Sequence, residues 1–159
     1  MKFPRVIQLD DSDLRVYAAP ARPGEWAVSG AFAFLETDLE RADGKTREAF
    51  RHGFLGLDSF GWTTLVEVTE INNAEYAQLI ERLAVHLMLR YGAPDIDAAT
   101  KAAEEEAAFA ASICEHPLQT ILAVEREVGA EGIEENFRVV PPRSEIDHSK
   151  VKIWAIEEE

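Results

Sequence analysis

The sequence predicts an α+β fold: a mainly antiparallel sheet with an antiparallel pair of long helices packed on one face. Three observations predict it. Strand-like runs occupy both ends of the chain. Two helix-length segments, one rich in Leu and the other in Ala, fill residues 72–115. The strand-like runs 61–71 and 119–128 flank those helices, so they can lie side by side.

Residues 3–9, FPRVIQL, and 14–18, LRVYA, are β-rich. The turn formers of DDSD separate them, which predicts an antiparallel hairpin. APARPGE is a loop, marked by its two prolines and glycine. EWAVS and AFAFL read as strands, with Gly30 between them as a bulge or close turn. TDLE at 37–40 matches a helix-start box, which predicts a short helix ahead of Gly44. A second short helix is expected over Lys45 to His52.

Residues 61–71, GWTTLVEVTEI, predict one continuous strand. Trp62, Thr64, Val66 and Val68 share one face; Thr63, Leu65, Glu67 and Thr69 share the more polar one. That asymmetry suits a sheet covered on one side. Asn72 or Asn73 then caps a long helix, with Glu75 near its positive end. Tyr76, Leu79, Ile80, Leu83, Leu87 and Tyr91 form its stripe. Val85 and Leu89 lie on its back, so this helix is expected centrally or at a subunit interface. Gly92 and Pro94 end it.

Asp95 opens the next helix, expected to run to about Glu115. Its stripe of Ile96, Ala99, Ala103, Ala107, Ala110 and Cys114 is small, which predicts close antiparallel packing on the previous helix. Residues 119–128 are strand-like, Gly129 and Gly132 bracket a turn, and NFRVV is a further strand. PPRSEIDHS is read as a loop and VKIWAI, 151–156, as a last strand. The whole of 1–159 is expected to form a single domain.

Thirty acidic residues face sixteen basic ones, a net charge of −14. Nucleic-acid binding needs a clustered basic surface, so it is excluded along with docking on an anionic membrane. The acidity suits solubility or a basic protein partner. A single cysteine, Cys114, forbids an intramolecular disulfide and suits a reducing compartment. No leader pattern and no run of 18 apolar residues is present, so the expected location is cytoplasmic.

The stretch 47–65, REAFRHGFLGLDSFGWTTL, is the one that resembles a ligand loop. Its glycines, Gly53, Gly56 and Gly61, follow a helix and precede a strand. Phosphate loops have the reverse order, so the nucleotide reading is weak. Arg47, Arg51 and His52 suit the negative end of a helix, and Gly53 suits a left-handed stop with Phe54 folding back. A candidate ligand site remains: Arg47 and Arg51 share a helix face, with His52 and Trp62 near enough to help hold a carboxylate or phosphate.

No metal site and no cofactor are expected. His52, His86, His116 and His148 stand apart in sequence, and Cys114, Glu115 and His116 diverge around a helix. No nucleophile motif is present, so no catalytic residue is assigned.

The runs GEWAVSGAFAF and EAFRHGFLGLDSFGWTTLVEV, with Phe54, Gly56, Phe60, Gly61 and Thr64 in place, resemble a family of small alphaproteobacterial proteins of unknown function. The resemblance covers nearly the whole chain. It implies one intact domain and carries no chemistry. The expected function is therefore a non-enzymatic, cytoplasmic protein-binding or adaptor domain, present as a homodimer. Two alternatives stand beside it: a small-molecule or anion-binding domain or enzyme using the cluster at 47–62, and an accessory factor for maturing a larger enzyme.

Overall fold

The computed structural model describes residues 1–141. The expected loop after Pro141, His148 and the expected strand 151–156 lie outside them. Two antiparallel sheets and a helical pair organise the chain. The larger sheet has the order β1-β5-β6-β7, with β1 Lys2–Ile7, β5 Leu65–Glu70, β6 Ile121–Gly129 and β7 Gly132–Val140. The smaller has the order β2-β3-β4, with β2 Ala27–Val28, β3 Phe54–Gly56 and β4 Trp62–Thr63. The helices are α1 Asp13–Val16, α2 Gly44–His52, α3 Asn73–Arg90 and α4 Ile96–Ser112. The α+β class and the antiparallel α3–α4 pair are as the sequence predicts.

The pairing of β5 with β6 also matches expectation, with Val66 opposite Leu122. Val66, Val68, Leu122 and Val124 are buried against Ala27 and Phe54 of the small sheet and against Cys114. Ala99, Ala103, Ala107 and Ala110 of α4 are fully buried against Leu79, Leu83, Ala84 and Leu87 of α3. Small side chains on one helix admit the large ones of its neighbour.

Several local expectations are corrected. The 3–9/14–18 hairpin does not form; β1 pairs with β5, and 13–16 is a helical turn. Asp10 accepts the Ser12 amide at 2.9 Å and Arg15 bridges back to Asp11 at 3.0 Å, so DDSD starts a helix. AFAF is a 3₁₀ turn at Ala31–Phe34. It follows Gly30, whose φ of 82° swings the chain away from strand geometry. No helix forms over 37–42; residues 39–41 are a turn, and Asp38 takes the Glu40 amide at 3.2 Å. Asp43 is the side chain that starts α2, accepting from Thr46 at 2.7 Å.

The expected strand 61–71 is two strands in different sheets. Thr64 breaks it by turning its amide and hydroxyl to the buried carboxylate of Asp13, at 3.3 and 2.8 Å. Gly53 is extended (φ −94°, ψ 133°) and not left-handed. Glycine is needed there for space: a Cβ would stand 2.7 Å from the Ala49 carbonyl oxygen and 2.9 Å from the Trp62 ring.

One buried cation ties these parts together. The Arg126 side chain, on β6, is fully buried. Its Nε donates to Glu135 of β7 at 2.8 Å. Its Nη1 donates to the carbonyls of Phe50 at 2.8 Å and Ala49 at 3.4 Å, in the last turn of α2. Its Nη2 donates to the carbonyl and hydroxyl oxygens of Ser29. A guanidinium has five N–H donors, and all five are used. Ser29 donates in turn to Glu135. Beside this pair Glu106, on α4, has one buried carboxylate oxygen with no partner among the described residues. Burial, then the charge of Glu135, pushes the Glu106 pKa up to about 7.

Arg126→Met is expected to lower unfolding free energy by about 3–5 kcal/mol, because it strands Glu135 and the helix-end carbonyl of Phe50. Adding Glu135→Gln should restore part of that loss in urea denaturation. For Glu106 the folded state holds a proton that the unfolded chain, near 4.5, has released. Its stabilising contribution is therefore full below pH 4.5 and lost as pH rises through about 7. Glu106→Gln should flatten that loss and be more stable than the parent above pH 7, by at most about 3 kcal/mol. Thermal melts at pH 4.5 and 8 check it; a parent–variant difference that does not widen with pH contradicts it.

Candidate functional site

α3 starts with a complete capping box. Asn72 accepts the Glu75 amide at 2.8 Å and Glu75 accepts the Asn72 amide at 3.2 Å. Gly92, at φ 73°, follows its end. With its inner stripe in the core, α3 turns Val85, Met88 and Leu89 to solvent, and Leu89 is 76% exposed. Tyr91, after the end of α3, and Ile96, at the start of α4, are also exposed. The sequence indicated Val85 and Leu89 as a second apolar side, and the structure leaves that side uncovered by any described residue.

A groove of about 450 Å³ lies along this face. Phe60 and the α3 residues Gln78, Arg82, Val85, His86 and Leu89 line it. Phe60 is held there against its own preference, since its backbone is left-handed at φ 56°. The loop before it is anchored by Glu25. That carboxylate accepts the amides of Asp58 and Ser59 at 2.8 Å each, the Ser59 hydroxyl at 2.6 Å and the Arg22 amide at 2.6 Å. Burial alone would raise the Glu25 pKa, but these bonds, led by the Ser59 hydroxyl, bring it below the ordinary value. Phe60 leaves this anchor with its ring flat on His86, 3.7 Å between centroids and 5° between planes. His86 lies 5.4 Å from Tyr91, which meets Phe32 edge-on at 5.2 Å.

The charges around the groove are mixed. Arg82 reaches Asp58 at 3.2 Å, Arg22 meets the same carboxylate at 3.3 Å, and Glu81 is exposed. Burial, then the positive charge of Arg90, lowers the His86 pKa, which favours the neutral imidazole. A flat aromatic stack, exposed aliphatic side chains and a tethered cation offer contact area and orientation.

Three of the four sequence-predicted ligand residues are engaged within the fold. Arg47 donates to the carbonyls of Leu39 at 3.0 Å and Glu40 at 2.6 Å. His52 Nδ1 contacts the Val124 carbonyl at 3.2 Å, and its Nε2 stands 4.0 Å from Glu48. The Trp62 ring packs on Phe34, 5.0 Å between centroids, and closes over Gly30 and Gly53. Arg51 alone is exposed without a partner among the described residues. Cys114 is buried, and that burial pushes its thiol up to about 12. Among the described residues no group of three or more His, Cys, Asp or Glu is placed to hold a metal. No described helix is long and apolar enough to cross a membrane.

The stacking role of Phe60 was not visible in sequence. It depends on a left-handed backbone and on an anchor, Glu25, that is 35 residues away. The one available signal was the unpaired Val85–Leu89 side of α3. A family model described as a family of unknown function (DUF6505) matches residues 1–157. No curated protein matches the chain. No solved structure matches it.

His86 should titrate below its ordinary 6.5 when its ring protons are followed by NMR. Its contribution to stability is present above 6.5 and lost as pH falls through the lowered folded value. Arg90→Gln should move the midpoint part of the way back up. An unshifted midpoint in the parent protein contradicts the buried, stacked geometry.

Proposed function

We propose a protein-binding role for this chain, which belongs to the family of unknown function DUF6505. It docks through the outer face of α3, is present as a homodimer, and has no catalytic activity of its own. The observation that carries the reading is a helix with two apolar sides. One is buried on α4, and the other presents Val85, Met88 and Leu89 to solvent. Exposed contiguous apolar surface with a mixed polar rim marks interaction sites. Three buried polar groups are satisfied from within: Arg126 by five acceptors, Glu25 by four donors, and Asp13 by Thr63 and Thr64. Buried polar groups spent on each other hold shape and leave little for a substrate.

The compartment we assign is the cytoplasm, where a lone, unpaired cysteine is at home. The anion-binding alternative keeps one uncommitted guanidinium, that of Arg51. An accessory factor for a larger enzyme would use the same α3 face.

Size-exclusion chromatography with light scattering tests the reading. The expected result is twice the chain mass at micromolar concentration, with Leu89→Asp weakening association by at least roughly tenfold. A parent protein that stays monomeric across that range overturns the homodimer.

A further inference from the structure

We propose that two copies pair α3 against α3 in parallel about a two-fold axis, with Val85 on the axis, Glu81 facing Arg82 of the partner subunit and Met88 facing Leu89 of the partner subunit. The inference rests on the docking face proposed above and adds the partner, its direction and its contacts.

The helix wheel supplies the geometry. Successive residues turn by about 100°. Val85 lies opposite the buried Leu83 and Leu87 and so marks the outer meridian. Measured from it, Glu81 falls about 40° to one flank and Arg82 about 60° to the other, one turn earlier. Met88 falls about 60° to the Glu81 flank and Leu89 about 40° to the Arg82 flank, one turn later. The two flanks therefore carry unlike partners at the same height: acid against base, then apolar against apolar.

A two-fold axis along the helix keeps height and exchanges flanks. Each Glu81 then meets Arg82 of the partner subunit, and each Met88 meets Leu89 of the partner subunit. An axis across the helix keeps flanks and inverts height. It would set Glu81 against an apolar Met and Arg82 against an apolar Leu, desolvating both Glu81 carboxylates without a partner. The parallel arrangement pairs those charges and gathers the apolar side chains around the axis. Arg82 is already partly ordered by its own chain. Its guanidinium is tethered at 3.2 Å to Asp58 while its side chain stays 52% exposed, so less freedom is lost on pairing.

The chain-wide charge of −14 is no obstacle at the contact itself. Glu81 and Arg82 cancel within the face, and more distant carboxylates are screened beyond roughly 8 Å at physiological salt.

The test uses the full chain and two charge-reversed variants. Glu81→Arg sets like charges against each other in its own dimer, and so does Arg82→Glu. Each should weaken self-association roughly tenfold in light scattering. An equimolar mixture should regain the dimer, because Glu81→Arg in one chain faces Arg82→Glu in the other at both contacts. Native mass spectrometry should show one copy of each. Val85→Cys should form a disulfide-linked dimer on mild oxidation, with the buried Cys114 unreactive.

A parent dimer that ignores Glu81→Arg, or a mixture that stays monomeric, overturns the parallel pairing and leaves the homodimer standing elsewhere. A monomeric parent overturns both readings. If that monomer shields the Val85→Cys thiol from alkylation, the face is covered by the chain's own residues beyond 141. Arg82→Glu also loses the Asp58 contact, so its melting temperature is compared with the parent's. Should it fail to fold, Glu81→Arg alone decides: its weakened dimer must recover in high salt, and a dimer insensitive to both sinks the proposal.

Discussion

A guanidinium removed from water sets the terms for the rest of this fold. Arg126 bears a full charge inside the protein, and burial pulls its pKa down while Glu135 pulls it back up. An ion in that position is tolerable only when every donor is matched. Matching them recruits α2 through Ala49 and Phe50, the Ser29 segment, and β7 through Glu135. Four separate stretches thus become one unit around a single side chain. The Phe50 carbonyl to which Arg126 donates is among those a helix leaves unpaired at its end, while the Ala49 carbonyl also takes the Gly53 amide at 2.9 Å. The same contact therefore finishes a helix and neutralises the need of a cation.

That unit sets where α3 can lie. The small sheet is held near β6 by Ser29 and by Phe54 packing on Phe137. Leu55 and Leu57 of its second strand and following loop join the alanine face of α4 in receiving Leu79, Leu83 and Leu87. α3 is consequently seated along one side only. The loop between the second and third strands of the small sheet rises beside it, braced by Glu25, and delivers Phe60 onto His86. A strained backbone and an internal carboxylate anchor together place one aromatic ring at the edge of an otherwise open helix face. Strain of this kind persists only where the surroundings over-determine it.

The long elements were legible because their signals are local. The Asn72–Glu75 box, the alanine stripe of α4 and the Gly129–Gly132 hairpin each act within a few residues. What was misread depended on partners distant in sequence. GWTTLVEVTEI alternates like one strand, yet Asp13, fifty residues earlier, takes Thr63 and Thr64 and splits it between two sheets. Gly53 was expected in a left-handed stop; its true constraint is the Trp62 ring lying against it. Arg126 sits in the strand-like run QTILAVEREV, where nothing marks one charge for burial and Glu125 and Glu127 for solvent except alternation. Of the candidate docking face, the Val85–Leu89 pair was readable from helical spacing, and the Phe60–His86 stack was not.

The distribution of satisfied and unsatisfied chemistry also bears on function. A catalytic site concentrates groups whose partners are incomplete until substrate arrives. Here the buried groups Arg126, Glu25 and Asp13 are matched by partners within the fold, and one buried Glu106 oxygen has none among the described residues. What remains incomplete at the surface is apolar. Val85, Met88 and Leu89 stay in water on a helix whose ends are capped and whose inner face is packed, so nothing local requires them to be there. An aliphatic side chain moved from water into a fitted contact contributes on the order of 1.5–3 kcal/mol when fully buried. Three of them on one helix turn and a half, beside a rigid aromatic stack, make a surface whose unmet need is another apolar surface. The local balance of Glu81 and Arg82 then favours a partner carrying the same two charges in the same places, which a copy of the chain does.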